Sequence, residues 1–180
     1  MIKFKIRRLE RTDAKEFQRL RLFALQNNST SFGSSFEEEV KKTLEQFEAS
    51  IEPKSESVFW GAFQEDRLIG MVGLGREESV KTEHKGFIRS MFVDTSARKL
   101  GVASELLKTA ISHSEAHMKL EQLNLAVNST NIEAINLYKK FRFVEYGIEP
   151  NALKIEGRYF AEMLMCRHSV PLVISNNMVP

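Results

Sequence analysis

The segment Arg98-Lys99-Leu100-Gly101-Val102-Ala103 constrains this chain more than any other, because it joins two different hydrophobic periods. Before it, Ile88-Arg89-Ser90-Met91-Phe92-Val93 reads as an apolar strand; after it, Leu106, Leu107, Ala110 and Ile111 recur at helical spacing. A strand that turns into a helix at a glycine makes an anion site. The first amides of a helix find no carbonyl partner within it, and the helix dipole adds positive potential at the same place. Gly101 lets backbone approach a ligand closely, and small Ala103 leaves the first turn open. Pyrophosphate fits that geometry.

Taken alone, R-x-x-G-x-A is an unspecific pattern, and its context supplies the specificity. Leu123-Asn124-Leu125-Ala126-Val127 reads as a further strand, followed by Asn131-Ile132-Glu133-Ala134-Ile135-Asn136-Leu137-Tyr138-Lys139-Lys140-Phe141-Arg142-Phe143. This pair of motifs resembles the GNAT superfamily of acyl-CoA-dependent N-acetyltransferases, in which R/Q-x-x-G-x-G/A binds the CoA pyrophosphate and the later segment reads N-x-x-A-x-x-L-Y-x-K-x-G-F. The resemblance runs from Val58 to Met165. Two positions depart from the pattern: Lys99 stands where many members have glycine, and Arg142 replaces the glycine before Phe143. Neither change removes a pyrophosphate-binding amide, so cofactor binding is expected to survive.

A chain of 180 residues with 42% hydrophobic residues fits one globular domain, expected over residues 1–168, with a tail over 169–180. A formal net charge of +2, from 26 basic and 24 acidic residues, argues against a dedicated nucleic-acid binder. One cysteine, Cys166, cannot form an internal disulfide, and it sits in an apolar strand pattern that suits a buried structural thiol. No apolar run reaches membrane-spanning length, and the N-terminus alternates instead of forming a signal-peptide core. A cytoplasmic protein with no membrane partner is expected.

Ile2, Phe4 and Ile6 alternate with basic residues as a half-buried first strand. Thr12 is placed to cap a helix carrying Phe17, Leu20 and Ala24, and Ser35-Phe36-Glu37-Glu38 is a capping box for a second helix carrying Val40, Leu44 and Phe47. A hairpin over Ser57–Gln64 and Arg67–Glu77 turns at Glu65-Asp66, and a strand follows at Phe87–Val93. Then come a helix from Gly101 to Met118, a strand from Gln122 to Val127, a helix from Asn131 to Phe141, and strands over Phe143–Ile148 and Gly157–Arg167. These elements make a mixed α/β domain, antiparallel at first and gaining parallel pairing through its two crossover helices. The tail is expected to fray or to add an edge strand to a partner in a homodimer.

The resemblance implies more: a single-domain α/β fold whose central sheet of about seven strands, flanked by about four helices, splays between strands four and five. Acetyl-CoA is the implied cosubstrate, held by Met91, Phe92, Val93, Arg98, Lys99, Leu100, Gly101, Val102, Ala103, Ser104 and Asn131, and a basic residue at Lys139 or Lys140 is implied near its phosphates. The strand ending at Met91-Phe92-Val93 is implied to bulge, pair with the pantetheine amides and offer one N–H to the thioester carbonyl.

Thr130-x-x-Glu133 reads as a capping box that starts a helix at Asn131, with Tyr138 two turns further on the same face. By resemblance Tyr138 protonates the departing thiolate, a role that suits a phenol with an ordinary pKa of about 10. No base for the substrate ammonium is evident. Phe87 occupies the position where some relatives carry a carboxylate; Glu77, Glu78, Glu83 and His84 lie in the preceding connection, and Arg89 could meet an acidic substrate group. The segments Ser31–Phe36 and Glu149–Glu156 are expected to border the acceptor site. His113 and His117 lie at i and i+4 but lack the H-E-x-x-H order, so no metal is expected. Gly70-Met71-Val72-Gly73-Leu74-Gly75 mimics a dinucleotide fingerprint inside a strand pattern, where close backbone packing explains it better. The expected acceptor is the primary amine of a small molecule; a protein N-terminus or lysine, and a CoA-binding sensor without turnover, are the rivals.

Overall fold

Alternation in the N-terminal segment produces β1 (Lys5–Arg8), and the computed structural model describes the chain from residue 3 to 169. Ile2 and nearly all of the tail, residues 170–180, lie outside the described residues. A 3-10 turn at Arg11–Asp13 leads into α1 (Ala14–Asn27). Thr12 lies inside that turn instead of capping the helix. Glu10 and Asp13 cap the turn itself, the Glu10 amide donating to Asp13 Oδ2 at 2.9 Å, and α1 continues from Asp13 without a side-chain cap of its own.

Ser35 forms the expected capping box with Glu38, but the helix it starts, α2 (Phe36–Glu39), is short. A second box at Thr43 and Gln46 opens α3 (Leu44–Ile51), so the expected single helix is two and Val40 is left exposed. The described residues therefore hold five α-helices, one more than expected.

The hairpin forms as expected from β2 (Ser57–Gln64) and β3 (Arg67–Arg76), and β4 (Lys85–Val93) completes an antiparallel half-sheet with β1. The crossover helix α4 (Val102–Ala116) returns the chain to β5 (Gln122–Asn128), parallel to β4. Then follow α5 (Ile132–Lys140), β6 (Val144–Ile155) and β7 (Arg158–His168). The sheet order is β1-β2-β3-β4-β5-β7-β6. Only one of the two expected parallel pairings exists among the described residues, because β7 inserts antiparallel between β5 and β6. No helix among the described residues is long and apolar enough to cross a membrane.

Two cores cover the two sheet faces. Leu106, Leu107, Ala110 and Ile111 of α4 and Ile135 and Tyr138 of α5 pack with Leu123, Leu125 and Val127 on one side. Phe17, Leu20 and Ala24 of α1 and Phe47 and Ile51 of α3 pack with Phe59, Met71 and Phe92 on the other. Burial pushes the Cys166 thiol pKa up, which suits a structural role. His113 stacks edge-on against Trp60 at 5.0 Å and lies 4.7 Å from His117, with no group of three or more metal-ligating side chains among the described residues.

Both departures from the family pattern fall on left-handed backbone: Lys99 has φ +62° and Arg142 φ +65°. Arg142 ends α5. Its amide reaches Lys139 O at 3.0 Å, the Phe143 amide reaches Tyr138 O at 3.1 Å, and the Phe143 ring meets the Tyr138 ring at 5.8 Å. Those two bonds and that contact are a Schellman motif, whose left-handed position favours glycine. Arg142→Gly removes about 1–2 kcal/mol of left-handed strain but adds unfolded-chain entropy, so a net gain of up to about 1 kcal/mol is expected. Denaturant unfolding of the variant checks it.

Candidate active site

Seven residue pairs tie β5 to β7, whereas the parallel ladder between β4 and β5 runs only from Lys85–Gln122 through Phe87–Asn124. From Ile88 onward the two strands diverge, as expected, and a cleft of about 1060 Å³ opens between them. The β4 ladder to β3 is itself irregular there: Ser90 and Met91 oppose the single residue Val72, and Ser90 has φ +52°. This is a β-bulge, which turns backbone groups out of the regular ladder and toward the gap.

At one mouth Asp94 accepts from the Ser96 amide at 3.0 Å and shapes the turn Thr95–Ala97, after which the chain climbs to Gly101 with φ +85°. Nothing lies within 4 Å of where a Gly101 Cβ would point. The amides opening α4 at Val102, Ala103 and Ser104 precede the first helical bond, from Glu105 N to Gly101 O at 3.1 Å. An open glycine cradle ahead of free helix amides fits a pyrophosphate. Lys99, Gly101, Val102, Ala103 and Ser104 line the cleft, while Leu100 is exposed and does not. Arg98 lines it too, but its amide donates to Thr95 O at 3.4 Å and its Nε to Val93 O at 3.4 Å. Its backbone is therefore already committed. Lys140 joins the lining; Lys139 does not.

On the opposite wall, Asn131 caps α5 through its own side chain, which accepts from the Ala134 amide at 3.1 Å. Thr130 does not cap as expected, because its hydroxyl and amide both bond Asn128 Oδ1, at 2.7 and 2.9 Å. Asn128 Nδ2 in turn donates to Thr30 O at 3.0 Å. This buried residue pins the loop after α1 to β5, and its local signal is an Asx turn opening the run Asn128-Ser129-Thr130.

Tyr138 lines the cleft, and burial pushes its pKa up to about 12. It stays protonated at neutral pH. Met91, Phe92 and Val93 also line the cleft, as do Ser31 and Phe32, whereas none of 149–156 does. Glu77, Glu78, Glu83 and His84 stand at the closed end of the β4–β5 ladder and contribute nothing to the lining. Among the carboxylates Glu133 lines the cleft. Glu149 and Glu162 lie outside its lining and face each other across β6 and β7; Glu162 also pairs with Asn128 in the β5 ladder, so these side chains share one sheet face. Burial and then Glu149 push the Glu162 pKa up. That pairing is long-range and invisible to local pattern.

The model of the acetyltransferase (GNAT) family matches residues 19–143. An N-alpha-acetyltransferase from Sulfolobus acidocaldarius is 36% identical over 78 residues, covering 43% of this chain and 42% of that protein. The catalytic subunit of the N-terminal acetyltransferase A complex of Arabidopsis thaliana is 32% identical over 96 residues, covering 53% of this chain and 46% of that protein. The chain thus aligns with less than half the length of these relatives. The crystal structure of a GNAT-family acetyltransferase from Streptococcus pneumoniae superposes with a TM-score of 0.81 at 25% identity, covering 92% of this chain and 99% of that one. With the splayed sheet, the bulged fourth strand and the glycine-led helix in place, and a family model spanning more than half its length, the chain belongs to the GNAT acetyltransferase family.

Proposed function

We propose that this protein transfers the acetyl group of acetyl-CoA directly to the primary amine of a small molecule. The observation that carries the reading is the convergence, on one cleft, of the α4 N-terminus, the β4 bulge and Tyr138. The acceptor side is bounded as well: the Asn128 bond to Thr30 O holds the loop across the gap, and Phe32 packs on Phe92 at 6.2 Å. A closed wall of this kind suits a compact acceptor better than a long peptide.

Bound acetyl-CoA supplies an activated thioester, whose carbonyl carbon accepts the amine and whose sulfur leaves. The amides from Lys99 to Ser104 hold the pyrophosphate oxygens at the helix start, and Lys140 and the Arg98 side chain lie close enough to offset their charge. The backbone of Met91, Phe92 and Val93 aligns the extended arm as an added strand would, and a bulge N–H faces the oxygen on which negative charge develops. Asn131 lines the wall opposite. As the carbon–nitrogen bond forms and the carbon–sulfur bond breaks, the Tyr138 hydroxyl gives its proton to the sulfur, the amine proton passes to water, and water returns a proton to the phenolate.

Acetylation of a protein N-terminus is the second reading, favoured by what the two relatives are named for. Free-thiol release across a panel of small amines and short peptides separates them. Turnover of small amines is expected; turnover of peptides alone supports the second reading, and acetyl-CoA binding without turnover points to a sensor.

Gly101→Val puts a branched side chain on left-handed backbone and into the cradle. Acetyl-CoA affinity is expected to fall tenfold or more by calorimetry, with a strain of about 1–2 kcal/mol in the thermal midpoint. Unchanged affinity in the folded variant contradicts the site.

Tyr138→Phe keeps the packing on Phe143 and removes the acid, so kcat is expected to fall about 10²–10⁴-fold while acetyl-CoA affinity holds. The same residue sets an alkaline signature. A phenol raised from 10 to about 12 in the folded state loses its stabilisation as pH climbs through that window, about 3 kcal/mol in all. Below pH 10 the two proteins should show the same pH dependence of unfolding; between 10 and 12 the wild type should lose stability faster than the variant.

With no side chain taking the ammonium proton, kcat/KM is expected to rise toward alkaline pH with an apparent pKa that follows the acceptor amine. Profiles for two acceptors of separated pKa test this. A fixed pKa that vanishes in Glu162→Gln overturns it and identifies that carboxylate as the base.

A further inference from the structure

The glycine run of β3 has a packing role that bears on the acceptor. Gly73 stands opposite Arg89 in the β3–β4 ladder, and a Cβ there would meet Arg89 Cγ at 2.9 Å and Phe59 Cε1 at 2.7 Å. A Cβ on Gly75 would meet the Phe87 ring at 2.6 Å. The missing side chains leave a trough in which Phe87, Arg89 and Phe59 lie flat against the sheet. The Arg89 guanidinium sits 5.1 Å from the Phe59 ring and 5.5 Å from the Phe87 ring, and its Nη2 donates to Ser57 Oγ at 2.7 Å. This arginine is held in place before any ligand arrives, and it lines the cleft just ahead of the bulge.

What it lacks is a counter-charge. Arg21, whose charge reaches Arg89, holds the Glu39 carboxylate at 2.8 Å, whereas no ion pair among the described residues includes Arg89. Its closest charged influence is repulsive: burial first, and then Arg21, push the Arg89 pKa below its ordinary value, although solvent still reaches it from the cleft. Arg21 is buried and spends only two of its nitrogens on Glu39; its Nη1 has no partner among the described residues, behind Phe32 at 5.0 Å. With Arg21 neutralised by Glu39, Arg89 is, among the described residues, the unpaired cation on the β4 side of the cleft, while Glu133 lines the α5 side and Glu149 and Glu162 lie beyond Asn128. A fixed cation left without a carboxylate partner in a cleft marks a binding role. Arginine is suited to paired contacts with carboxylate or phosphate oxygens.

We infer that the acceptor is a primary amine that also carries an anionic group, a carboxylate or a phosphate, which Arg89 binds while the amine faces the thioester. The inference rests on the acetyl-transfer reading above and names the acceptor class for that site. Arg89 recognises the group that does not react, so its loss falls on KM more than on kcat.

The test uses the full chain with saturating acetyl-CoA and matched acceptors: an amino acid, its carboxamide and its decarboxylated amine in one arm, phosphoethanolamine and ethanolamine in the other. The anionic member is expected to have a kcat/KM at least tenfold above its neutral match, mostly through KM. The ratio should collapse toward one in Arg89→Met and recover in part in Arg89→Lys, with CoA affinity unchanged by calorimetry in both. Whichever arm shows the preference identifies the anion. A ratio near one in the wild type, or an unaltered ratio in Arg89→Met, overturns the inference and leaves acetyl transfer standing. A readout free of turnover keeps the two apart: the Arg89 Nε–H resonance, with CoA filling its own subsite, should shift saturably with N-acetyl amino acids or inorganic phosphate. If no amine is acetylated yet that resonance shifts, the transfer reading fails and anion recognition stands; if it does not shift, anion recognition fails.

Discussion

The short ladder between β4 and β5 is the constraint on which the rest depends. β5 is committed along its length to β7, and β4 is committed to β3, so each half-sheet turns one partly unpaired inner edge toward the other. Backbone donors and acceptors on those edges cannot stay buried without partners, and divergence keeps them open to a cleft instead. An edge inside a sheet, walled on both sides, invites an extended ligand to pair as a strand. The bulge at Ser90 adds to this, because it breaks the β3 ladder at the level where the gap begins and turns backbone groups toward the cleft.

Charge is arranged locally, since the chain as a whole carries only +2. At one mouth the α4 N-terminus, Lys99 and Lys140 form a positive rim; on the other side of the sheet Arg89 stands apart with aromatic rings beneath it. These two regions come from different chemistry. The first is mainly backbone and tolerates changes of side chain, which is why Lys99 can replace glycine there at the expense of left-handed strain. The second depends on a single side chain and on the glycines that make room for it.

The features legible in the sequence were those whose cause is local. The strand-glycine-helix junction, the hairpin at Glu65-Asp66, the Ser35 box and the face shared by Asn131 and Tyr138 each follow from a few adjacent residues. Thr43 and Gln46 were equally local, but the apolar spacing of Val40, Leu44 and Phe47 disguised the break between two helices. The insertion of β7 between β5 and β6, the bulge opposite Val72, the bond from Asn128 to Thr30 and the pairing of Glu149 with Glu162 arise from contacts between distant segments. No local period encodes them. The glycines of β3 lie between these cases: their packing role was readable, but the side chains they accommodate became visible only with the register.

The end of α5 shows why the tyrosine stands where it does. In the Schellman arrangement Tyr138 is the residue whose carbonyl receives the Phe143 amide and whose ring meets the Phe143 ring, so the helix terminus itself orients the phenol. At the other end Asn131 caps the first turn, and α5 is thereby fixed at both termini over nine residues. In the proposed transfer that rigidity matters, because the phenol is carried by a helix on one half-sheet and the strand amide by the other. The positive φ at Arg142 follows from the same requirement. The left-handed residue turns the chain back so that Phe143 meets the Tyr138 ring, and the strain at Arg142 accompanies that contact.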